Sequence, residues 1–304
     1  MVDYKAAIEE LETLNDFVRW GASQFNQAGI YFGHGTDNAV DESLALVLHA
    51  VGLQHGIPSE LFSSRLTKQE KQAVVKLFER RIEERLPAAY ITHEAWFGGM
   101  KFYVDERVLV PRSPIAELIA SGFEPWVDSS QVERVMDLCT GSGCIAIACA
   151  HAFPDAEVDA VDISKDALAV AEINVQRYQL EEQVSLIQSD VFNGLDTQVY
   201  DLIVSNPPYV DALDMSQLPT EFEHEPALGL EAGTDGLDIV RRILKEASQY
   251  LSPEGVLVVE VGNSQQALME AFPTVPFTWM EFERGGEGVF VIDSATLQQF
   301  SDEF

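Results

Sequence analysis

The apolar positions of this chain change period twice. From Tyr4 to Gln27 they recur at helical spacing (Ile8, Leu11, Leu14, Val18), with Glu9, Glu10 and Glu12 toward the start, which predicts a helix. The turn-rich stretch Tyr31-Phe32-Gly33-His34-Gly35-Thr36-Asp37-Asn38 interrupts the pattern. A second helix is expected over Asp41–Val51, closed by Gly52. A third should run from the N-cap Thr67 to about Glu84, stopped by Pro87. Helices with no strand between them predict a helical domain over residues 1–88. Residues 89–112 then break into short runs, Tyr90-Ile91-Thr92, Ala95-Trp96-Phe97 and Lys101-Phe102-Tyr103-Val104, that read as strands. Gly98-Gly99 between the last two predicts a hairpin turn, so this stretch reads as a β-hairpin linker.

From residue 113 to 304 strand and helix patterns alternate. Strands are expected at Arg134–Cys139, Val158–Val161, Val184–Gln188, Asp201–Ser205 and Gly255–Val261. Helices precede the first strand and begin at Ser142, Ser164 and Leu237, the last running to Tyr250. Two closing strands, Phe277–Phe282 and Gly288–Ile292, flank Glu283-Arg284-Gly285-Gly286-Glu287. The alternation predicts an α/β domain with a mostly parallel sheet and an antiparallel edge.

Charge sharpens this picture. The chain carries 50 acidic against 19 basic residues, a net −31. Residues 1–90 hold 13 acidic and 9 basic side chains, leaving 37 and 10 for residues 91–304. Such a field repels free DNA and favours cationic partners. No run of 18 apolar residues occurs and the start is acidic, so no membrane association and a cytoplasmic location are expected. Cys139, Cys144 and Cys149 form no Cys-x-x-Cys pair, so neither a metal site nor a disulfide framework is expected.

Four motifs carry chemistry. In Val135-Met136-Asp137-Leu138-Cys139-Thr140-Gly141-Ser142-Gly143-Cys144 an apolar strand runs into a glycine turn and opens a helix, where a ligand can approach backbone N–H groups. The third glycine of a dinucleotide fingerprint is missing, which argues against a nicotinamide dehydrogenase. Asp162 ends the next strand, where a carboxylate can accept from ribose hydroxyls, although a helix N-cap explains it too. Asp190 follows the strand after that, placed to accept from an adenine amino group or simply to be solvated. Asn206-Pro207-Pro208-Tyr209 closes the strand Asp201–Ser205. Its prolines stiffen the turn. The Asn206 side-chain oxygen and the Pro207 carbonyl can both accept from one planar NH2 group, with Tyr209 as a flat packing face. Two such acceptors favour a pyramidal nitrogen and aim its lone pair at a methyl sulfonium.

The order and spacing of these motifs resemble a class I Rossmann-like methyltransferase. Three further features resemble the HemK-like protein-(glutamine-N5) methyltransferases: Phe102 to Arg112 before the catalytic fold, Glu225-Pro226-Ala227-Leu228 with Gly233-Thr234-Asp235-Gly236-Leu237 after it, and Glu260-Val261-Gly262-Asn263. The resemblance implies a seven-stranded methyltransferase domain, a substrate-docking helical domain and S-adenosylmethionine as cofactor. It further implies that Asp137, Cys139, Thr140, Gly141, Ser142 and Gly143 line the methionine and ribose, with Asp162 on the ribose hydroxyls and Asp190 and Val191 beside the adenine. Pro111 and Arg112 would border that pocket. Asn206, Pro207, Pro208 and Tyr209 would hold the substrate amide, with Glu225 in the loop beyond as a substrate contact or, equally, a structural salt bridge. Ala95-Trp96-Phe97, Tyr31 to Asn38, and Pro111-Arg112-Ser113-Pro114 resemble the branch acting on large-subunit ribosomal protein L3, a basic substrate suited to the acidic field. The alternatives are the same chemistry on a release-factor glutamine, a DNA adenine-N6 methylase acting on a flipped base, and a non-catalytic cofactor-binding assembly protein.

Overall fold

Thr13 divides the first expected helix in two. The computed structural model describes residues 2–196 and 198–304, with α1 at Tyr4–Glu10 and α2 at Leu14–Gln27. Thr13 Oγ1 accepts from the Asp16 amide (3.2 Å) and the Asp16 carboxylate accepts from the Thr13 amide (2.8 Å), a reciprocal cap that ends one helical run and begins another. Helix α3 (Ala39–Ala50) starts earlier than expected because Asn38 Oδ1 accepts from the Val40 and Asp41 amides. Helix α4 (Lys68–Glu83) follows its Thr67 cap as expected. Its buried stripe of Val74, Val75 and Phe78 meets Phe25 of α2, whose ring centroid lies 5.2 Å from that of Phe78. Tyr90-Ile91-Thr92 is not a strand. It belongs to α5 (Ala88–Thr92), one helical turn after Pro87 whose first four residues are buried, so burial overrides their β-propensity.

The chain divides into two compact units: Met1–Glu94 with Pro219–His224, and Ala95–Leu218 with Glu225–Phe304. The first is helical. The second opens with an antiparallel hairpin, β1 (Ala95–Phe97) and β2 (Met100–Phe102). Gly98 (φ +56°) and Gly99 (φ +78°) supply the two left-handed positions its tight turn needs.

The rest of the second unit is a seven-stranded sheet. Its elements in chain order are α6 (Ile115–Ala120), β3 (Arg134–Leu138), α7 (Cys144–Ala152), β4 (Glu157–Asp162), α8 (Lys165–Tyr178), β5 (Val184–Gln188) and β6 (Tyr200–Ser205). Then come α9 (Ala212–Met215), α10 (Asp238–Ala247), β7 (Leu251–Glu260), α11 (Gln265–Ala271), β8 (Thr278–Trp279), β9 (Val289–Asp293) and α12 (Ser294–Gln299). The strand order is β5-β4-β3-β6-β7-β9-β8, parallel except that β9 runs antiparallel to both β7 and β8. Apolar residues alternate between two buried faces: Val135, Leu202 and Val204 join one core, Met136, Leu138 and Ile203 the other. Both faces are covered, as a mostly parallel sheet requires. The sequence missed α9, α11 and α12, and the strand expected over Phe277–Phe282 shrinks to β8.

This order places the chain reversal between β3 and β6, where a crevice opens outside the carboxyl ends of the strands. Leu138 and Ser205, the last residues of these strands, are register partners, and Ser205 Oγ donates to the Leu138 carbonyl at 2.8 Å. No helix among the described residues is long and apolar enough to cross a membrane.

Candidate active site

The loop after β3 is bent by its backbone and clamped from below. Cys139 takes φ +62°, which turns the chain out of the strand at once, and Gly141 and Gly143 follow at +54° and +80°. At Gly143 an added Cβ would stand 3.1 Å from that of Ala171, so α8 packs against the bare backbone. Asp137 is fully buried beneath the loop. Its Oδ2 accepts from Thr140 Oγ1 (2.5 Å) and the Ala146 amide (3.0 Å), tying strand, loop and α7 together. Burial pushes its carboxyl up to about 7, against the lowering effect of those two donors, and its Oδ1 has no hydrogen-bond partner. Ser142 and Gly143 thus shape the loop, and α7 begins at Cys144.

Asp162, ending β4, faces this loop. Its oxygens accept from the Gly141 amide and the Ser164 amide, each at 2.9 Å. Ser164, not Asp162, caps α8, accepting from the Ala167 amide. Burial raises the Asp162 carboxyl above its ordinary range despite these amides. Asp190 is held below its ordinary range, chiefly by Arg242, whose guanidinium lies 2.7 Å from Oδ1. Val191 follows with φ +54°, a left-handed conformation that a β-branched residue adopts only under constraint.

These groups surround an open cavity of about 910 Å³. Cys139, Gly141, Asp162, Asp190, Val191, Asn206 and Pro208 line it, all named from the sequence. Its walls combine carboxylates with apolar Val108, Ile163, Leu228 and Ile239. That mix suits a nucleoside bearing hydroxyls and an ammonium group. Pro111 and Arg112 are not in this wall, which takes Arg107, Val108 and Leu109 from the same motif instead. Arg112 is engaged elsewhere. Its guanidinium forms a two-pronged ion pair with the buried Glu225, both contacts 2.7 Å, and Glu225 also accepts from the Val110 amide. Glu225 is therefore a structural brace that fixes the segment before α6 to the loop after β6.

Asn206 stands at the mouth of β6, half-buried, and among the described residues no side-chain hydrogen bond engages it. Pro207 is buried, whereas Tyr209 is half-buried and lies outside the cavity wall. Three contacts hold Tyr209. Its hydroxyl donates to Glu260 Oε1 at 3.1 Å, its carbonyl accepts from Ser264 Oγ at 2.7 Å, and its ring packs on Gly262, where a Cβ would come within 2.6 Å of the ring. The motif Glu260-Val261-Gly262-Asn263 marked Glu260 in the sequence, but its contact with Tyr209 emerges only when the fold brings β7 in beside β6.

Residues 120–225 match the model of the methyltransferase small domain. The ribosomal protein uL3 glutamine methyltransferase of Francisella tularensis is 50% identical over 298 residues, covering 98% of this chain and 95% of the relative. The enzyme of the same description from Xanthomonas campestris is 52% identical over 292 residues, covering 96% and 94%. Among solved structures the hMettl16 catalytic domain overlaps at a TM-score of 0.49 with 16% identity, over 73% of this chain and 80% of that one. The protein is an S-adenosylmethionine-dependent methyltransferase, and identity of this extent over nearly the whole chain means that it belongs to the ribosomal protein uL3 glutamine methyltransferase family.

Proposed function

We propose that this chain methylates the side-chain amide nitrogen of a glutamine in large-subunit ribosomal protein uL3, in the cytoplasm. The observation that carries the reading is the uncommitted Asn206 amide at the edge of the cavity, next to the rigid Pro207-Pro208 turn. Asn206 Oδ1 and the Pro207 carbonyl accept the two N–H bonds of the substrate amide. Pro208 shapes the entrance, and Tyr209 supports the turn from behind. S-adenosylmethionine supplies the electrophilic methyl group on its sulfonium. Transfer would leave the amide nitrogen methylated and the cofactor as a neutral thioether, with one amide proton released to solvent to give the N-methyl amide.

Asp162 serves the ribose hydroxyls, the loop from Cys139 to Gly143 the methionine end, and Val191 the base. Asp190 keeps lone pairs for the adenine amino group beyond its contact with Arg242. The helical unit docks the protein substrate. A DNA adenine methylase would need a basic groove, whereas residues 91–304 hold 37 acidic and 10 basic side chains. The same excess of acid favours a basic ribosomal protein.

Purified protein with tritiated S-adenosylmethionine, offered undermethylated uL3 and an unmodified release factor separately, tests the substrate. Label on a glutamine of uL3 alone is expected, and label on the release factor alone would overturn it. Asn206→Ala should lower turnover by about 10²-fold or more while cofactor affinity by calorimetry stays within twofold, the scale of losing one preorganised hydrogen-bonding group. An unchanged turnover would remove Asn206 from the reaction.

A further inference from the structure

The buried carboxyl of Glu260 is used by nothing in the reading above, yet it holds the one polar atom of the Tyr209 side chain. Glu260 ends β7, directly beside β6, and is 4% exposed. Oε1 accepts from Tyr209 Oη at 3.1 Å and Oε2 accepts from Ser113 Oγ, which itself accepts from the Ile115 amide at the start of α6. On the β9 side its register partner is Val289, which is apolar. Among the described residues the cation that acts on it is Arg112, already committed to Glu225. Ser113, Tyr209 and Arg112, with Glu225 behind Arg112, are thus the polar and charged groups around it.

We propose that Glu260 is a positioning residue for methyl transfer, holding Tyr209 and with it the Asn206-Pro207-Pro208 turn in the reactive arrangement only while its carboxyl is ionised. The inference rests on the reading of that turn as the amide-binding site. Its chemistry is simple. An ionised carboxylate offers acceptors to both hydroxyls at once, whereas the protonated acid must spend one oxygen as a donor. Tyr209 or Ser113 then loses its acceptor and must rotate. Tyr209 has little freedom to do so without moving the turn, because Ser264 fixes its carbonyl and Gly262 its ring. Burial pushes the Glu260 carboxyl up to about 7, the two hydroxyls and Arg112 pulling the other way, so the switch falls in the working range. Tyr209 itself stays protonated, its hydroxyl driven well above the ordinary tyrosine value by burial and by Glu260.

The test is the pH profile of kcat, measured at saturating substrate on the full chain. Wild type should lose activity as pH falls through about 7, levelling off about tenfold below its value at pH 8. Glu260→Gln should lower kcat at pH 8 about tenfold and flatten that acid limb, with KM for S-adenosylmethionine within twofold. Ser113→Ala, which removes one donor to the carboxylate and leaves Tyr209 in place, should move the limb to higher pH by about half a unit or more. Tyr209→Phe should flatten it as Glu260→Gln does, and adding Glu260→Gln to Tyr209→Phe should change kcat less than twofold. A limb that survives Glu260→Gln, or that Ser113→Ala leaves unmoved, overturns the proposal. So does a Glu260→Gln defect confined to cofactor affinity. If Glu260→Gln does not fold, Ser113→Ala alone decides. A loss of turnover in Asn206→Ala upholds the amide-site reading whatever these variants do, so the two can fail separately.

Discussion

The helical unit buries its carboxylates against guanidinium groups, whereas the catalytic unit, besides ion pairs such as Arg112–Glu225, also buries two carboxyls with none in contact. In the helical unit Arg81 is wholly buried on α4 and binds the wholly buried Glu42 of α3 at 2.6 Å, the Tyr31 carbonyl at 2.7 Å and Glu221 at 3.5 Å. Glu42 also accepts from Thr36 Oγ1, and Glu221 from the Tyr31 amide and Arg85. In the catalytic unit Asp137 meets only a hydroxyl and an amide, and Glu260 accepts from two hydroxyls. Burial alone would raise Glu221, but the amide and the two guanidinium groups outweigh it and hold the carboxyl below its ordinary value. Asp137 and Glu260, lacking a guanidinium in contact, are both pushed up to about 7. A buried ion pair keeps its charge and staples the structure. A buried carboxyl among neutral donors stays near the point of changing charge, which is useful only beside chemistry.

The largest effect should come from breaking the staple. Arg81→Met leaves Glu42 buried without its cation and deprives Glu221 of one of two, and should cost about 3–5 kcal/mol of stability in urea unfolding. Arg81→Met combined with Glu42→Gln should recover more than half of that loss, because the cost lies in the stranded charge. A loss under about 1 kcal/mol for Arg81→Met would place the network among the idle ion pairs and undo the contrast.

Next is the pH dependence of stability, where Asp137 and Glu260 pull against Glu221. Asp137 and Glu260 have folded values raised above the unfolded carboxylate range, so between about 4 and 7 the native state holds more protons than the unfolded one. Their effect is a penalty that grows as pH rises through that window and is complete above about 7. Glu221, lowered, contributes stability that is present above its unfolded value and lost as pH falls through its folded one. Asp137→Asn, which keeps an acceptor for Thr140 and Ala146, should therefore reduce the loss of stability between pH 5 and pH 8 by about 2 kcal/mol relative to wild type. Equal losses in both proteins would mean that Asp137 stays ionised throughout.

How much of this was written in the sequence follows the same division. The cofactor loop, Asp162 and the Asn206 turn were legible because each sits where a strand ends, and strand, turn and helix are local patterns. Seven of the named residues meet at one cavity for that reason. The errors are also local ones. Thr13-Leu14-Asn15-Asp16 carries a capping box that the helical spacing on either side concealed, and Tyr90-Ile91-Thr92 has strand-like residues that burial turns into α5. The braces were illegible because they join distant segments. Arg112 reaches Glu225 across 113 residues, Arg81 reaches Glu221 across 140, and Ser113 reaches Glu260 across 147. One trace of Arg81 does exist in the pattern. It falls on the stripe of Val74 and Phe78, an apolar-face position where a charge is buried only if paired.

The smallest test sharpens the catalytic half of the contrast. Thr140→Val removes the hydroxyl that donates to Asp137 and keeps the shape of the side chain, so Asp137 is left with the Ala146 amide alone. With one donor fewer the ionised form is less supported and the carboxyl should rise further. At pH 5, where Asp137 is already mostly protonated, the carboxylic acid needs little from Thr140 and the substitution should cost under about 0.5 kcal/mol. At pH 8 the cost should be about 1–1.5 kcal/mol, the range of one lost hydrogen bond to a charged group in urea unfolding. The difference between the two pH values matters more than either number. A cost equal at both would assign Thr140 to loop packing alone, whereas a cost that grows with pH identifies the hydroxyl as part of what lets a buried carboxylate exist beneath the cofactor loop without a cation.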